Sequence, residues 1–193
     1  MGRTGKWYAL EHYGIQPDMV VLGKGLNSGY LPLSAVGCGE EHLKMLRERM
    51  GNFVHGHTYS HHAVAAAAGL AVLNIVEREH LLRKVTERGL YLASLLESLK
   101  HHPRVGDVRG IGLMWAVELV KDKASLEPFP RKEEVTERLL EALLEDGILT
   151  YPCTGFAGGD GDALMLGPPF IISEGELDQV VDAMSRALEK VFA

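Results

Sequence analysis

Lys24 lies between Gly23 and Gly25, directly after the apolar run Met19-Val20-Val21-Leu22. A lysine in that setting can do covalent chemistry. A strand end opens onto the crevice where open α/β sheets bind ligands. Flanking glycines clear space around the amine, and burial lowers a lysine pKa, so that some neutral amine is present to attack a carbonyl carbon. A phosphate-binding loop of the Gly-x-x-x-x-Gly-Lys-Ser/Thr type is excluded. Gly5-Lys6 is followed by Trp7, and Gly23-Lys24 by Gly25. A dinucleotide loop needs a helix after its last glycine, whereas Tyr30-Leu31-Pro32 follows here and Pro32 disfavours helix at Leu31. The plain alternative, a solvated lysine in a turn, stays open on this pattern, because most lysines are exposed.

A second polar cluster occupies residues 51–62, with His55, His57, Thr58, Tyr59, Ser60, His61 and His62. Histidines so placed suggest a zinc site, but no cysteine is nearby to complete one. Cys38 and Cys153 are far apart and form no pair motif, which fits a reducing compartment.

These residues sit in a 193-residue chain with 20 basic and 26 acidic residues, a net charge of −6. That balance argues against a general nucleic-acid binder. No apolar run approaches the ~18 residues of a membrane span. The start, Met1-Gly2-Arg3-Thr4-Gly5-Lys6, has no apolar signal core and no Ser or Thr at its sixth position for myristoylation. A cytoplasmic protein without nucleic-acid or membrane partners is expected. The 22 glycines exceed an average share and cluster, which implies tight turns or close approach of backbone to a ligand.

The elements that must position Lys24 read as α/β material. A short helix is expected over 6–13, a strand buried on both faces over 19–22, a second buried strand over 33–37, and a helix over 40–50. A strong helical signal runs from Ala63 to His102. It opens with small residues (Ala65 to Gly69) that allow close packing, and the Glu77-Arg78-Glu79-His80 stretch and Gly89 suggest a bend or break. Beyond residue 104, strands are expected within 105–120, at 148–151 and at 163–166. Amphipathic helices are expected over 133–145 and 174–192. Met114 and Trp115 read as core. The domain reading is 1–80, a linking helix 81–103, and a small α+β domain 104–193.

Several motifs carry a resemblance. Arg3-Thr4-Gly5-Lys6-Trp7, Pro17-Asp18, Gly23-Lys24-Gly25-Leu26 and Gly29-Tyr30-Leu31-Pro32-Leu33-Ser34-Ala35 come first in order. His55-Gly56-His57-Thr58, Val108-Arg109-Gly110-Ile111-Gly112 and Pro168-Pro169-Phe170-Ile171-Ile172 follow. The sequence resembles the class III aminotransferases, the pyridoxal-phosphate (PLP) enzymes that include omega-amino acid:pyruvate transaminases. The resemblance implies an α/β chain of the PLP-dependent transferase fold type I, with part of the large domain followed by the complete small α+β C-terminal domain. It implies that Lys24 holds PLP and moves the substrate proton, and that Thr58 donates to the PLP phosphate of a neighbouring subunit. His57 and Tyr59 would help shape that site. It explains the histidine cluster without a metal. The implied partners are an amino donor and a 2-oxo acid, within a homodimer or a complement with a missing N-terminal half.

The sequence departs from the family in two respects. No Arg occurs between Glu145 and Phe170, where relatives often carry a carboxylate-binding arginine, so Tyr151 and Arg109 are the substrate candidates, with Arg109 read mainly as structural. The family's aspartate for the pyridine nitrogen lies before the Gly-Arg-Thr-Gly match. Asp18 cannot replace it: six residues of strand separate it from Lys24, roughly 20 Å at ~3.3 Å per residue. The chain therefore reads as the C-terminal half of such an enzyme, with Met1 as an internal methionine, and as inactive alone. The alternative is a non-catalytic remnant that serves as a binding or dimerisation module.

Overall fold

The computed structural model describes residues 1–193. The chain divides into two compact units, Met1–Gly2 with Lys6–Leu81, and Arg3–Gly5 with Leu82–Ala193. No helix is long and apolar enough to cross a membrane.

In the first unit a 3₁₀ turn over Ala9–Tyr13 stands where a short helix is expected. Strands β1 (Met19–Leu22) and β2 (Ala35–Cys38) pair antiparallel, with Met19 opposite Cys38 and Leu22 opposite Ala35. The expectation that both are buried does not hold. Val21 is 80% exposed and Val36 67%. A two-stranded ribbon has no neighbour to cover its faces, so side chains suited to a buried sheet stand in the open. Helix α1 (Glu40–Met50) follows as the sequence predicts.

The long helical signal splits into α2 (Ala63–Arg78) and α3 (Leu81–Leu96), with a 3₁₀ turn over Glu97–His101. The break falls at His80, whose φ of +52° ends the helical path. Gly89 is not a break. It lies inside α3, where an added Cβ would come within 2.4 Å of the Gly112 carbonyl oxygen. That glycine exists for close approach of helix and hairpin, and α3 belongs to the second unit's core rather than forming a free link.

The second unit is a four-stranded antiparallel sheet in the order β3-β4-β6-β5. Its strands are β3 (Val105–Ile111), β4 (Met114–Leu119), β5 (Tyr151–Ala157) and β6 (Asp160–Leu166). Residues 105–120 thus form a hairpin, turned at Gly112 with φ +58°. The glycine cluster 155–161 is a second hairpin tip between β5 and β6. Helices α4 (Val135–Glu145) and α5 (Glu174–Phe192) complete the unit. The core joins Leu92 and Leu96 of α3 to Val117, Leu164, Leu139, Leu143, Leu177 and Met184, all essentially inaccessible. Their spacings on each helix follow the 3–4-residue period of one apolar stripe. Trp115 packs against this core, but Met114 is 44% exposed, contrary to its reading as core, because its position on β4 faces an open cleft.

Candidate functional site

The segment after β1 is built to present Lys24. Gly23 is extended, and Lys24 then takes φ +46°. This left-handed conformation is uncommon for any residue with a Cβ, and holding it costs on the order of 1–3 kcal/mol. Lys24–Leu26 form a single 3₁₀ turn, closed by the Leu26 N–H donating to the Gly23 carbonyl at 3.1 Å. A second turn follows at once: the Tyr30 N–H donates to the Asn27 carbonyl, with Ser28 at +53° and Gly29 at +79°. Two successive positive φ values define a type I′ turn, which reverses the chain toward β2.

Helix α2 supports this loop from beneath. Its small face, Ala65 and Gly69, is buried. A Cβ on Gly69 would meet Leu33 Cδ2 at 2.7 Å, and the Leu26 carbonyl and Asn27 Cβ lie just beyond. The small residues at the start of the helical signal therefore do what their size predicts. The helix is capped by His62, whose Nδ1 accepts from the Ala65 N–H at 3.2 Å.

The Lys24 loop, the 51–62 segment and the start of α2 enclose one broad, open cleft of about 1110 Å³. Lys24, Asn27, Tyr30, His57 and Tyr59 are on its walls. Not one Asp or Glu lines it, although the chain is acidic overall. The Lys24 amine has no carboxylate within ion-pair distance. In the 51–62 segment the His57 N–H donates to Ser60 Oγ at 2.8 Å, and the rings of His55 and His57 meet edge to face at 5.2 Å. Thr58 is exposed and is not on the cleft wall. Asp18 lines a different cleft of the same unit, where it lies 3.9 Å from His42.

The substrate candidates belong to the second unit. Arg109 donates to Asp107 at 2.9 Å and also pairs with Glu118, and both contacts hold its pKa above the usual value. A guanidinium shared by two carboxylates is a poor ligand for a third, and its role is to tie β3 to β4. Tyr151 is exposed and borders a cleft of about 470 Å³ with Met114, Thr150 and Arg3.

Sequence reasoning did not single out Arg3 or Asn27. Arg3 reaches across 165 positions to donate to the Pro168 carbonyl at 2.7 Å, and also donates to the Leu113 carbonyl at 3.2 Å. Its guanidinium lies 5.4 Å from the Phe170 ring centre, and burial lowers its pKa. Asn27 is 1% exposed, with its Nδ2 unpartnered. Its only advance signal is its place three residues after Lys24.

The profile described as Aminotransferase class-III matches residues 1–188. The diaminobutyrate--2-oxoglutarate transaminase of Halomonas elongata is 39% identical, over 98% of this chain and 40% of that protein. The crystal structure of a thermostable (S)-enantioselective omega-transaminase from Thermomicrobium roseum superposes with a TM-score of 0.89 at 40% identity, over 100% of this chain and 41% of that one. A PLP-bound aminotransferase mutant from Vibrio fluvialis superposes equally, at 0.89 and 35% identity, over 99% and 41%. The chain thus spans about two fifths of the length of these relatives.

Proposed function

The chain belongs to the class III aminotransferases, and we propose that it serves in moving an amino group from an amine or omega-amino acid to a 2-oxo acid, with PLP as cofactor and Lys24 as the residue that carries it. The observation that carries this reading is the backbone of Lys24. A lysine held at φ +46°, with its amine unpaired on a broad cleft, is maintained against a conformational cost. An exposed lysine without a task has no need of that geometry.

The residues present fit the cofactor. The cleft is wide, lined by Lys24 and four histidines, and free of carboxylates that would pair with the amine or repel a phosphate. When bound, PLP supplies an electron sink for the charge left when a proton leaves the substrate carbon. Lys24 Nζ holds that proton and moves it. His57 and Tyr59 line the cleft and restrict how a ring can lie there. Thr58 is exposed and off this wall, which is compatible with a role toward a neighbouring subunit. Arg109 is occupied, so Tyr151 is the remaining substrate candidate.

The same reading makes the chain the C-terminal half of the working enzyme, with an N-terminal half supplied by another chain or by the intact gene product. The uncovered apolar faces of β1 and β2 support it, as does a Lys24 cleft without the acid that would pair with a pyridine nitrogen. The test is reduction with borohydride after incubation with PLP, followed by peptide mass analysis. The chain alone should give weak labelling confined to Lys24 and absent in Lys24→Ala. Co-expression with a class III N-terminal half should give full labelling and amine transfer to pyruvate or 2-oxoglutarate. Label that persists in Lys24→Ala would remove Lys24 from the site. Full occupancy in the chain alone would remove the half-enzyme reading.

A further inference from the structure

Asn27 is the anomaly of the Lys24 loop. Its side chain is 99% buried by accessible area, yet its Nδ2 has no hydrogen-bond partner. Leaving such a group unsatisfied costs about 1–3 kcal/mol, and buried polar groups are nearly always paired. The fold could have avoided the cost with a leucine, which is of similar size. Asn27 also lines the cleft that holds Lys24, and its backbone carbonyl anchors the type I′ turn.

We propose that Asn27 is a positioning residue for Lys24, and that the partner its carboxamide lacks is an oxyanion oxygen, of the phosphate-ester class, held in the cleft. This rests on the reading of Lys24 given above. Three features of the site select an anion. No Asp or Glu lines the cleft, while Lys24 and four histidines do. The N-terminus of the 16-residue helix α2 opens on it through Ala65 and Ala66, with the positive end of its dipole. Of the residues that line the cleft, the one with a buried polar atom that lacks a partner is Asn27, and that atom, Nδ2, is a donor. The terminal torsion of asparagine is broad and Asn27 is on the cleft wall, so a turn of the carboxamide would present the N–H pair to the anion. Once bonded to an anion, the carboxamide would fix the turn that spans 24–27 and with it the left-handed backbone that aims the amine. Asn27 touches the anion and not the reacting carbon.

The test uses the full chain, ¹⁵N-labelled, with inorganic phosphate and PLP as separate probes. The Asn27 side-chain NH₂ resonances are identified by their loss in Asn27→Asp. The expected result is a saturable shift of that pair with each probe. Alongside, Asn27→Leu should keep or raise the urea midpoint of the unloaded chain, while the rate of borohydride-trapped PLP labelling at Lys24 falls about tenfold, the scale of one charge-assisted hydrogen bond. An unchanged NH₂ pair with both probes overturns the proposal, whatever Lys24 does. So does an unchanged labelling rate per folded molecule in Asn27→Leu. If Asn27→Leu fails to fold, Asn27→Asp carries the labelling test instead: its carboxylate offers no donor and repels an anion, so trapped PLP labelling at Lys24 should fall at least about tenfold, and an unchanged rate overturns the proposal. A shift with phosphate but no label at Lys24 would uphold the oxyanion contact and overturn the cofactor reading instead.

Discussion

Asp162 Oδ1 on β6 accepts two hydrogen bonds from Thr136, one from its backbone N–H at 3.0 Å and one from its hydroxyl at 2.7 Å. Both residues are fully buried. Thr136 is in the first turn of α4, whose cap residue Glu134 sits at φ +48° and offers no side-chain cap. The cap is therefore supplied from the sheet, 26 residues away. Asp162→Ala orphans a buried N–H and a hydroxyl together, and should cost about 2–3 kcal/mol. Asp162→Asn keeps an acceptor for both Thr136 donors, so its loss should be smaller. Urea denaturation followed by circular dichroism ranks the three. An alanine variant as stable as the parent would show that the cap is supplied from elsewhere.

The left-handed lysine makes a prediction with opposite signs. Lys24→Gly relieves the positive φ and should raise stability by about 1 kcal/mol, while it abolishes PLP labelling. Lys24→Ala abolishes labelling as well but keeps a Cβ in the strained region, so it should gain nothing. Thermal melts of both variants decide this. A glycine variant less stable than the alanine variant would mean that the backbone at 24 is unstrained.

The contrast between these two sites shows what the residues made legible. Lys24 was visible because two glycines and an apolar run flank it, and chemistry of that kind is written locally. The helices were legible for the same reason: α1, α4 and α5 carry their apolar stripes at helical spacing. The burial of β1 and β2 was not legible, because an apolar strand reads the same whether or not its neighbours are there. Asn27 and Asp162 were missed because each acquires its meaning from a residue or cleft that only the fold brings near. Gly89 was misread because a glycine within a helical pattern looks like a break until the backbone of Gly112 is seen against it.

That contact gives a third prediction. Gly89→Ala places a methyl within 2.4 Å of the Gly112 carbonyl oxygen and 2.6 Å of its Cα. Backbone cannot swing aside as a flexible side chain does, so α3 and the β3–β4 turn must separate. The expected loss is about 1–3 kcal/mol, despite alanine's better helix propensity. Gly175→Ala is the control. It lies in the first turn of α5 with no atom within 4 Å of the added Cβ, and should leave the urea midpoint unchanged or slightly raised. Equal midpoints for the two variants would mean that the helix–turn contact yields without cost.

The start of α5 makes the protein's stability depend on acid. Ser173 and Glu176 form a capping box. Ser173 Oγ accepts from the Glu176 N–H at 3.2 Å, and Glu176 Oε2 accepts from the Ser173 N–H at 2.7 Å. The Ser173 backbone N–H, then its hydroxyl, hold the Glu176 carboxyl below its ordinary value of 4.5. Glu137 is lowered in the same way, first by its hydrogen bonds from Arg131. A carboxyl whose pKa is lower in the folded state favours folding wherever it is ionised. Its contribution is complete above the unfolded value and disappears as pH falls through the folded one, because the unfolded chain then binds the proton more readily. The share of stability that these two carboxyls contribute should therefore be constant from neutral pH down to about 5 and fall below 4.5. Glu176→Gln keeps an acceptor but no ionisable group, so its own stability should fall less steeply in that range, and the parent and variant curves should converge at the acid end. Urea midpoints measured across the acid range test this. Curves for Glu176→Gln and parent that stay parallel to the lowest pH would show that the box carries no charge-dependent stability.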